Sequence, residues 1–187
     1  SHSQARIWLL ESLDEGTIRT YNMVEAYQPA RPLDPAALEA AVGFVMDRHE
    51  SLRTVFQMSG DDGAGELLQI VRPAGRLRVR PRFQRVAPEE FDDALARARA
   101  EEGRLRFDLA AGPLFRLRCL TTAGRPPVLL FNVHHSINDG WSYGVLVRDL
   151  LAAARAFERG TRPDLPPVSG YLAHTARLDI ELAGPRG

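Results

Sequence analysis

The stretch from Pro127 to Glu158 restricts the fold more than any other part of the chain. Pro127-Val128-Leu129-Leu130-Phe131 is an apolar run that reads as a buried strand. It continues into Asn132-Val133-His134-His135-Ser136-Ile137-Asn138-Asp139-Gly140, and from Trp141 to Glu158 apolar residues recur at helical spacing. A buried strand that feeds a long amphipathic helix requires a sheet with helices packed on it. Two histidines, an aspartate and a glycine fall at the junction, where a rigid strand can hold a reacting side chain in place.

Side chains alternate faces along a strand. Leu129, Phe131, Val133 and His135 therefore share one side, and Val128, Leu130, Asn132 and His134 the other. If the strand runs through the pair, one histidine at most faces a given cavity. That pattern fits one base and one structural residue better than two metal ligands. A zinc site would also need further Cys, His or carboxylate ligands at suitable spacing, and no such set is present, so no metal is expected. Histidine exchanges protons near neutral pH, which suits a general base or an orienting group. Asp139 could hold the loop through an arginine or through backbone N–H groups of the next helix. Gly140 allows positive φ or close approach of a substrate. A buried histidine pair with Asp139 as a helix cap satisfies the same local spacing.

The rest of the chain alternates helices and strands. Ser3–Leu13 reads as a short helix and Tyr21–Tyr27 as a strand. Asp34 and Pro35 then start a helix whose buried face is Leu38, Ala41, Val42, Val45 and Met46, ending near His49. Leu52–Met58 and Glu66–Val71 read as strands joined by a turn at Gly60–Gly65. Arg76-Leu77-Arg78-Val79-Arg80 alternates strictly, as a strand with a solvated arginine face or a docking patch for an acidic partner. Pro88 opens a helix to about Arg104, with acids first and arginines later. Phe107–Leu109 and Gly112-Pro113 form a turn. Leu114–Leu120 and Val128–His134 follow as antiparallel neighbours around Gly124-Arg125-Pro126. The helix from Trp141 ends near Gly160. A proline-rich linker, residues 162–168, leads to a last helical stretch, Tyr171–Leu182. The pattern predicts one α/β domain, a mixed-sheet two-layer sandwich.

Charge bears on partners. Twenty-four arginines and no lysine balance 24 acidic residues, so overall charge leaves no footprint for nucleic acid. Cys119 is the only cysteine, within a strand-like run. It reads as a buried, inert thiol in a cytoplasmic protein. No apolar run approaches transmembrane length and no signal peptide opens the sequence, so no membrane association is expected.

Four segments carry a resemblance. His134-His135-Ser136-Ile137-Asn138-Asp139-Gly140-Trp141-Ser142 resembles the His-His-x-x-x-Asp-Gly active-site signature of nonribosomal peptide synthetase condensation domains. These domains belong to the chloramphenicol acetyltransferase-like superfamily. Ser1–Leu10 is similar to the opening motif, Arg48-His49-Glu50-Ser51-Leu52-Arg53-Thr54-Val55-Phe56 to the second, and Phe107–Leu114 to the segment ahead of the catalytic strand. Order and spacing agree as well. The resemblance covers nearly the whole chain but only the front of the family's two-lobed domain, and it implies that residues 1–187 are an N-terminal lobe without the C-terminal lobe. Two aspartates replace the histidines in the related cyclisation domains, and epimerisation domains usually continue differently after Asp-Gly.

By position, the resemblance makes His135 the catalytic residue, acting as base or orienting group, with His134 beside it. It makes Asp139 structural, paired with Arg53 rather than Arg48. Gly140 would leave room for a phosphopantetheine arm, and Trp141 and Ser142 would line the substrate tunnel. The implied reaction is amide-bond formation in antibiotic-type secondary metabolism. An acyl or peptidyl group moves from a donor carrier-protein thioester to the amine of an acceptor aminoacyl group. The partners are then donor and acceptor peptidyl carrier proteins and the C-terminal lobe. No cofactor binds directly, since the carriers deliver the phosphopantetheine. A coenzyme A-dependent acyltransferase and a non-catalytic docking lobe are the competing readings. Alone, the fragment is expected to be inactive and to self-associate through its lobe-facing surface.

Overall fold

In the computed structural model of the 187-residue chain, the structure describes residues 21–59, 65–138 and 140–168. The expected helices at Ser3–Leu13 and Tyr171–Leu182, and most of the Gly60–Gly65 turn, lie outside the described residues. The elements, in chain order, are β1 (Asn22–Tyr27), α1 (Pro35–Arg48), a 3-10 turn (Glu50–Arg53), β2 (Thr54–Met58) and β3 (Leu67–Val71). There follow β4 (Arg82–Arg85), a 3-10 turn (Pro88–Glu90), α2 (Phe91–Arg104), β5 (Phe115–Thr122), β6 (Arg125–His134) and α3 (Gly140–Glu158). Four strands form a mixed sheet in the order β1-β6-β5-β4. β6 runs antiparallel to both neighbours and β4 parallel to β5, while β2 and β3 make a separate antiparallel pair.

β6 is buried on both faces, which explains its uninterrupted apolar run. On one side Leu129, Phe131 and Val133, with Phe115 and Leu117 of β5, share a core with Leu38, Val42 and Val45 of α1 and Leu146 and Leu150 of α3. On the other, Val128 and Leu130, with Leu120 of β5, pack on Phe91, Ala94 and Ala98 of α2. Each large side chain buried this way stabilises the fold by about 1.5–3 kcal/mol relative to exposure. The strand is therefore clamped from two sides, and the residue at its end is held by the whole core.

α1 starts where its sequence says. The Asp34 carboxylate accepts the Ala37 N–H at 2.8 Å, Pro35 sits in the first turn, and the five apolar residues expected on its inner face are all buried. At the far end His49 has extended backbone, and Glu50–Arg53 then wind a 3-10 turn. Because that turn consumes Leu52 and Arg53, the following strand begins at Thr54 rather than Leu52.

Arg76–Arg80 is not a strand. Its alternation is real in sidedness, with Leu77 and Val79 packed against the core and the three arginines exposed, but the segment has no ladder partner. A turn precedes it, closed by the Arg76 N–H donating to Pro73 O at 3.1 Å, with Gly75 at φ +79°. Two of the arginines face α1, Arg78 lying 3.4 Å from Asp47 and Arg80 3.7 Å from Glu39. Regular pairing resumes at β4. Among the described residues no helix is long and apolar enough to cross a membrane.

Candidate active site

The histidine pair straddles the end of β6. The strand stops at His134, and His134–Ile137 form a turn closed by the Ile137 N–H donating to His134 O at 3.1 Å. The two histidines part as alternation requires, but through a turn rather than through a strand continuing past both. His134 is 1% exposed, whereas His135 is exposed. Both backbones are pinned. The His134 N–H donates to Leu114 O at 3.0 Å, and the His135 N–H donates to Tyr21 O at 2.8 Å.

Their partners assign both rings. The Ser136 N–H lies 3.3 Å from Nδ1 of His134, with Ser136 Oγ 2.7 Å from the same nitrogen. A backbone N–H can only donate, so Nδ1 of His134 carries no proton and the serine hydroxyl donates to it as well. The rings of Phe107 and Tyr21 stand 6.0 Å and 6.4 Å away. His134 is thus a packed, hydrogen-bonded structural residue. His135 is assigned the opposite tautomer. Its Nδ1 lies 2.8 Å from the Asn138 carbonyl, which can only accept, so Nδ1–H donates and Nε2 keeps its lone pair. An exposed imidazole held by one nitrogen, with the other lacking a hydrogen-bond partner among the described residues, can take a proton from an incoming nucleophile.

The turn ahead of β5 buttresses this end of the sheet. Asp108 Oδ1 accepts the N–H groups of Ala110 and Ala111 at 2.9 Å, and the Gly112 N–H donates to Asp108 O at 2.8 Å. Gly112 has φ +61°, and a Cβ there would lie 2.9 Å from Val55 Cγ1, so only glycine fits. This turn delivers the Phe107 ring edge-to-face against the His134 ring and Leu114 O to its backbone.

Gly140 opens α3 and is exposed; a Cβ added to it would meet nothing within 4 Å. Ser142 is exposed in the first turn of α3. Asp139 and the side chain of Trp141 lie outside the described residues. Arg53 is 9% exposed, and its guanidinium donates to the carbonyls of Met46 (3.0 Å), Asp47 (3.4 Å) and Arg72. It braces the turn between α1 and β2 through backbone oxygens. Arg48 is committed elsewhere, to Asp149 at 3.0 Å and to Pro166 O. Among the described residues no cluster of three or more His, Cys, Asp or Glu could hold a metal ion.

Three features escaped the sequence. Ser136 and the backbone carbonyl of Asn138 set the two tautomers, and nothing in the sequence marks either for that role. A groove of about 540 Å³ runs along α3 from Tyr143, lined by Tyr27, Val147, Leu151 and Arg155. The Tyr143 hydroxyl is buried there without a hydrogen-bond partner among the described residues, and burial, aided by the nearby Glu25 carboxylate, pushes its pKa up to about 12. Asp149 is the third. It is a fully buried carboxylate whose partners Arg48 and His49 lie about a hundred residues earlier, beyond the reach of any local pattern.

The chain, a mixed-sheet α/β lobe with an exposed histidine between an inner strand and a long helix, has the chloramphenicol acetyltransferase-like fold. The chain belongs to the condensation-domain family, whose Condensation domain matches residues 1–182. It is 38% identical over 184 residues to the dimodular nonribosomal peptide synthase of Bacillus subtilis (strain 168), covering 98% of this chain and 7% of that protein. The first condensation domain of the calcium-dependent antibiotic synthetase superposes with a TM-score of 0.87 at 20% identity, covering 98% of this chain and 43% of that one. The X-domain from teicoplanin biosynthesis gives 0.76 at 32% identity, covering 96% and 37%. The chain therefore spans less than half of the solved domains it matches, and a small fraction of the curated synthetase.

Proposed function

We propose that this chain is the N-terminal lobe of a condensation domain that forms amide bonds in nonribosomal peptide synthesis, with His135 as its base. The acceptor amine attacks the carbonyl carbon of the donor thioester while Nε2 of His135 takes a proton from the nitrogen. The tetrahedral intermediate collapses with cleavage of the C–S bond, and the proton passes to the departing thiolate. The products are an amide and a free carrier thiol. One observation carries this reading. The Nδ1–H of His135 is committed to Asn138 O at 2.8 Å, which leaves the basic nitrogen on an exposed ring.

His134 supports the turn, Gly140 leaves space for the phosphopantetheine arm, and Trp141 and Ser142 border the tunnel. Asp139 is structural, with Arg53 as its partner. The thioesters arrive on donor and acceptor carrier proteins, so no cofactor need be resident. The C-terminal lobe completes the tunnel, which makes the isolated fragment inactive and prone to self-association.

The test uses the full-length domain with loaded donor and acceptor carriers, followed by intact-protein mass spectrometry. His135→Ala is expected to lower transfer at least 100-fold. Full transfer by that variant would overturn the assignment. A docking role is the second reading, because the X-domain, at 32% identity, has been solved in complex with OxyB. On that reading His135→Ala changes no turnover, since the wild type has none.

A further inference from the structure

We propose that Asp149 is a positioning residue for this site, a proposal that rests on the condensation reading above. Asp149 lies on α3 with no exposed surface, about 13 Å along the helix axis from Gly140. Both carboxylate oxygens are occupied. Oδ2 accepts from Arg48 Nε at 3.0 Å and faces His49 Nε2 at 3.1 Å, and Oδ1 accepts from Arg148 Nε at 3.0 Å and Nη2 at 2.8 Å. Arg48 and His49 are the last residue and the C-cap of α1. The 3-10 turn bearing Arg53 starts at the next residue. Arg48 also donates to Pro166 O, which fixes the proline-rich segment that follows α3.

One buried carboxylate therefore fastens three things together. They are the helix that follows the His135 turn, the end of α1 that leads into Arg53 and, through Arg48, the proline-rich segment after α3. Apolar packing between α1 and α3 holds the helices together but has no direction, and it tolerates small slides and rotations. The Asp149 carboxylate, whose Oδ2 takes Arg48 and His49 at the end of α1 while Arg148 on its own helix holds Oδ1, tolerates neither. Buried ion pairs add little net stability over well-packed apolar replacements. What such a replacement cannot supply is the fixed offset between α1 and α3. That offset sets how the His135 turn stands relative to the Arg53 turn.

The experiment uses the full-length domain with its loaded carriers and reads kcat, KM for the acceptor carrier and melting temperature together. Asp149→Asn keeps the shape and removes the charge. The double variant Arg48→Met/Asp149→Leu removes both buried charges at once, leaving the largely exposed Arg148 free to turn to water. The expected result is a kcat at least tenfold lower in both, KM within twofold of wild type, and a melting temperature in the double variant close to wild type. Wild-type kcat in the double variant overturns the proposal, and so does wild-type kcat in a folded Asp149→Asn. Loss of fold in both variants overturns it too, since Asp149 would then serve stability alone. Wild-type domain and His135→Ala run in parallel. Absence of His135-dependent transfer in the wild type defeats the condensation reading, whereas normal wild-type transfer with unaffected Asp149 variants defeats only this one.

Discussion

His135 and Cys119 show opposite uses of position on this sheet. His135 leaves the strand and gains solvent. Cys119, on β5, stays within the core at 5% exposure, and burial pushes its thiol up to about 11. A thiol so raised is almost entirely protonated at pH 8 and is shielded from reagents. Native protein is expected to resist iodoacetamide for hours at pH 8 and to be alkylated within minutes in 6 M guanidinium, followed by mass. Rapid native labelling would place Cys119 at the surface. Period-two alternation predicts that the two histidines part, but the strand ends at His134 and it is a turn that separates them. The ring assignments were not legible in the sequence, because they depend on Ser136 and on the Asn138 carbonyl, and turn geometry is set by tertiary packing. Asp149 was hidden for a different reason. Beside Arg148 on a helix it looks like half of an ordinary surface pair.

Among the elements, those with chemically explicit boundaries were read well. Asp34 and Pro35 mark the start of α1 because one accepts an orphan N–H and the other needs no partner for a missing one. Gly160, at φ +68°, follows the end of α3. Arg76–Arg80 was misread because alternation reports which side is buried, not whether a neighbouring strand offers hydrogen bonds. The turn before β5 is the element on which a single change tells most. Gly112→Ala would force a non-glycine residue to φ +61° and press its Cβ against Val55 Cγ1 at 2.9 Å and Leu77 Cδ1 at 3.3 Å. We expect a loss of about 1–3 kcal/mol in urea unfolding. Unchanged stability would mean that the turn relaxes freely.

At the scale of the whole molecule, pH acts through the cluster that joins α1 to α3. Burial lowers His49 from its ordinary 6.5, outweighing the attraction of Asp149 and assisted by Arg48. At neutral pH it is therefore a neutral donor to Asp149 rather than half of an ion pair. A base lowered on folding leaves the unfolded chain binding more protons, so its stabilising contribution is full above pH 6.5 and declines as pH falls toward the lowered value. Asp149 titrates lower. Burial alone would raise it, but hydrogen bonds from Arg148 and Arg48 hold it below the usual 3.8, so its contribution is lost only in stronger acid. Melting temperature should hold steady from pH 8 to 7 and fall between pH 6.5 and 5, and His49→Gln should flatten that fall. An unchanged slope in the variant would remove His49 from the account. The double burial of β6 has a further consequence for folding. A strand that is apolar on both faces has little hydrophobic pattern to oppose sliding by one residue, and such a slip would move His135 to where His134 stands, or His134 to where His135 stands. Two asparagines oppose it. Asn132 donates to Glu102 O at 2.7 Å, and Asn22, paired across from His134, donates to Leu105 O at 2.6 Å. In the slipped register Asn132 would enter the core beneath α1 and α3, and Glu102 O would lose that donor. The chain tells its two adjacent histidines apart during folding not by the histidines themselves, but by the amides that reject the wrong alignment.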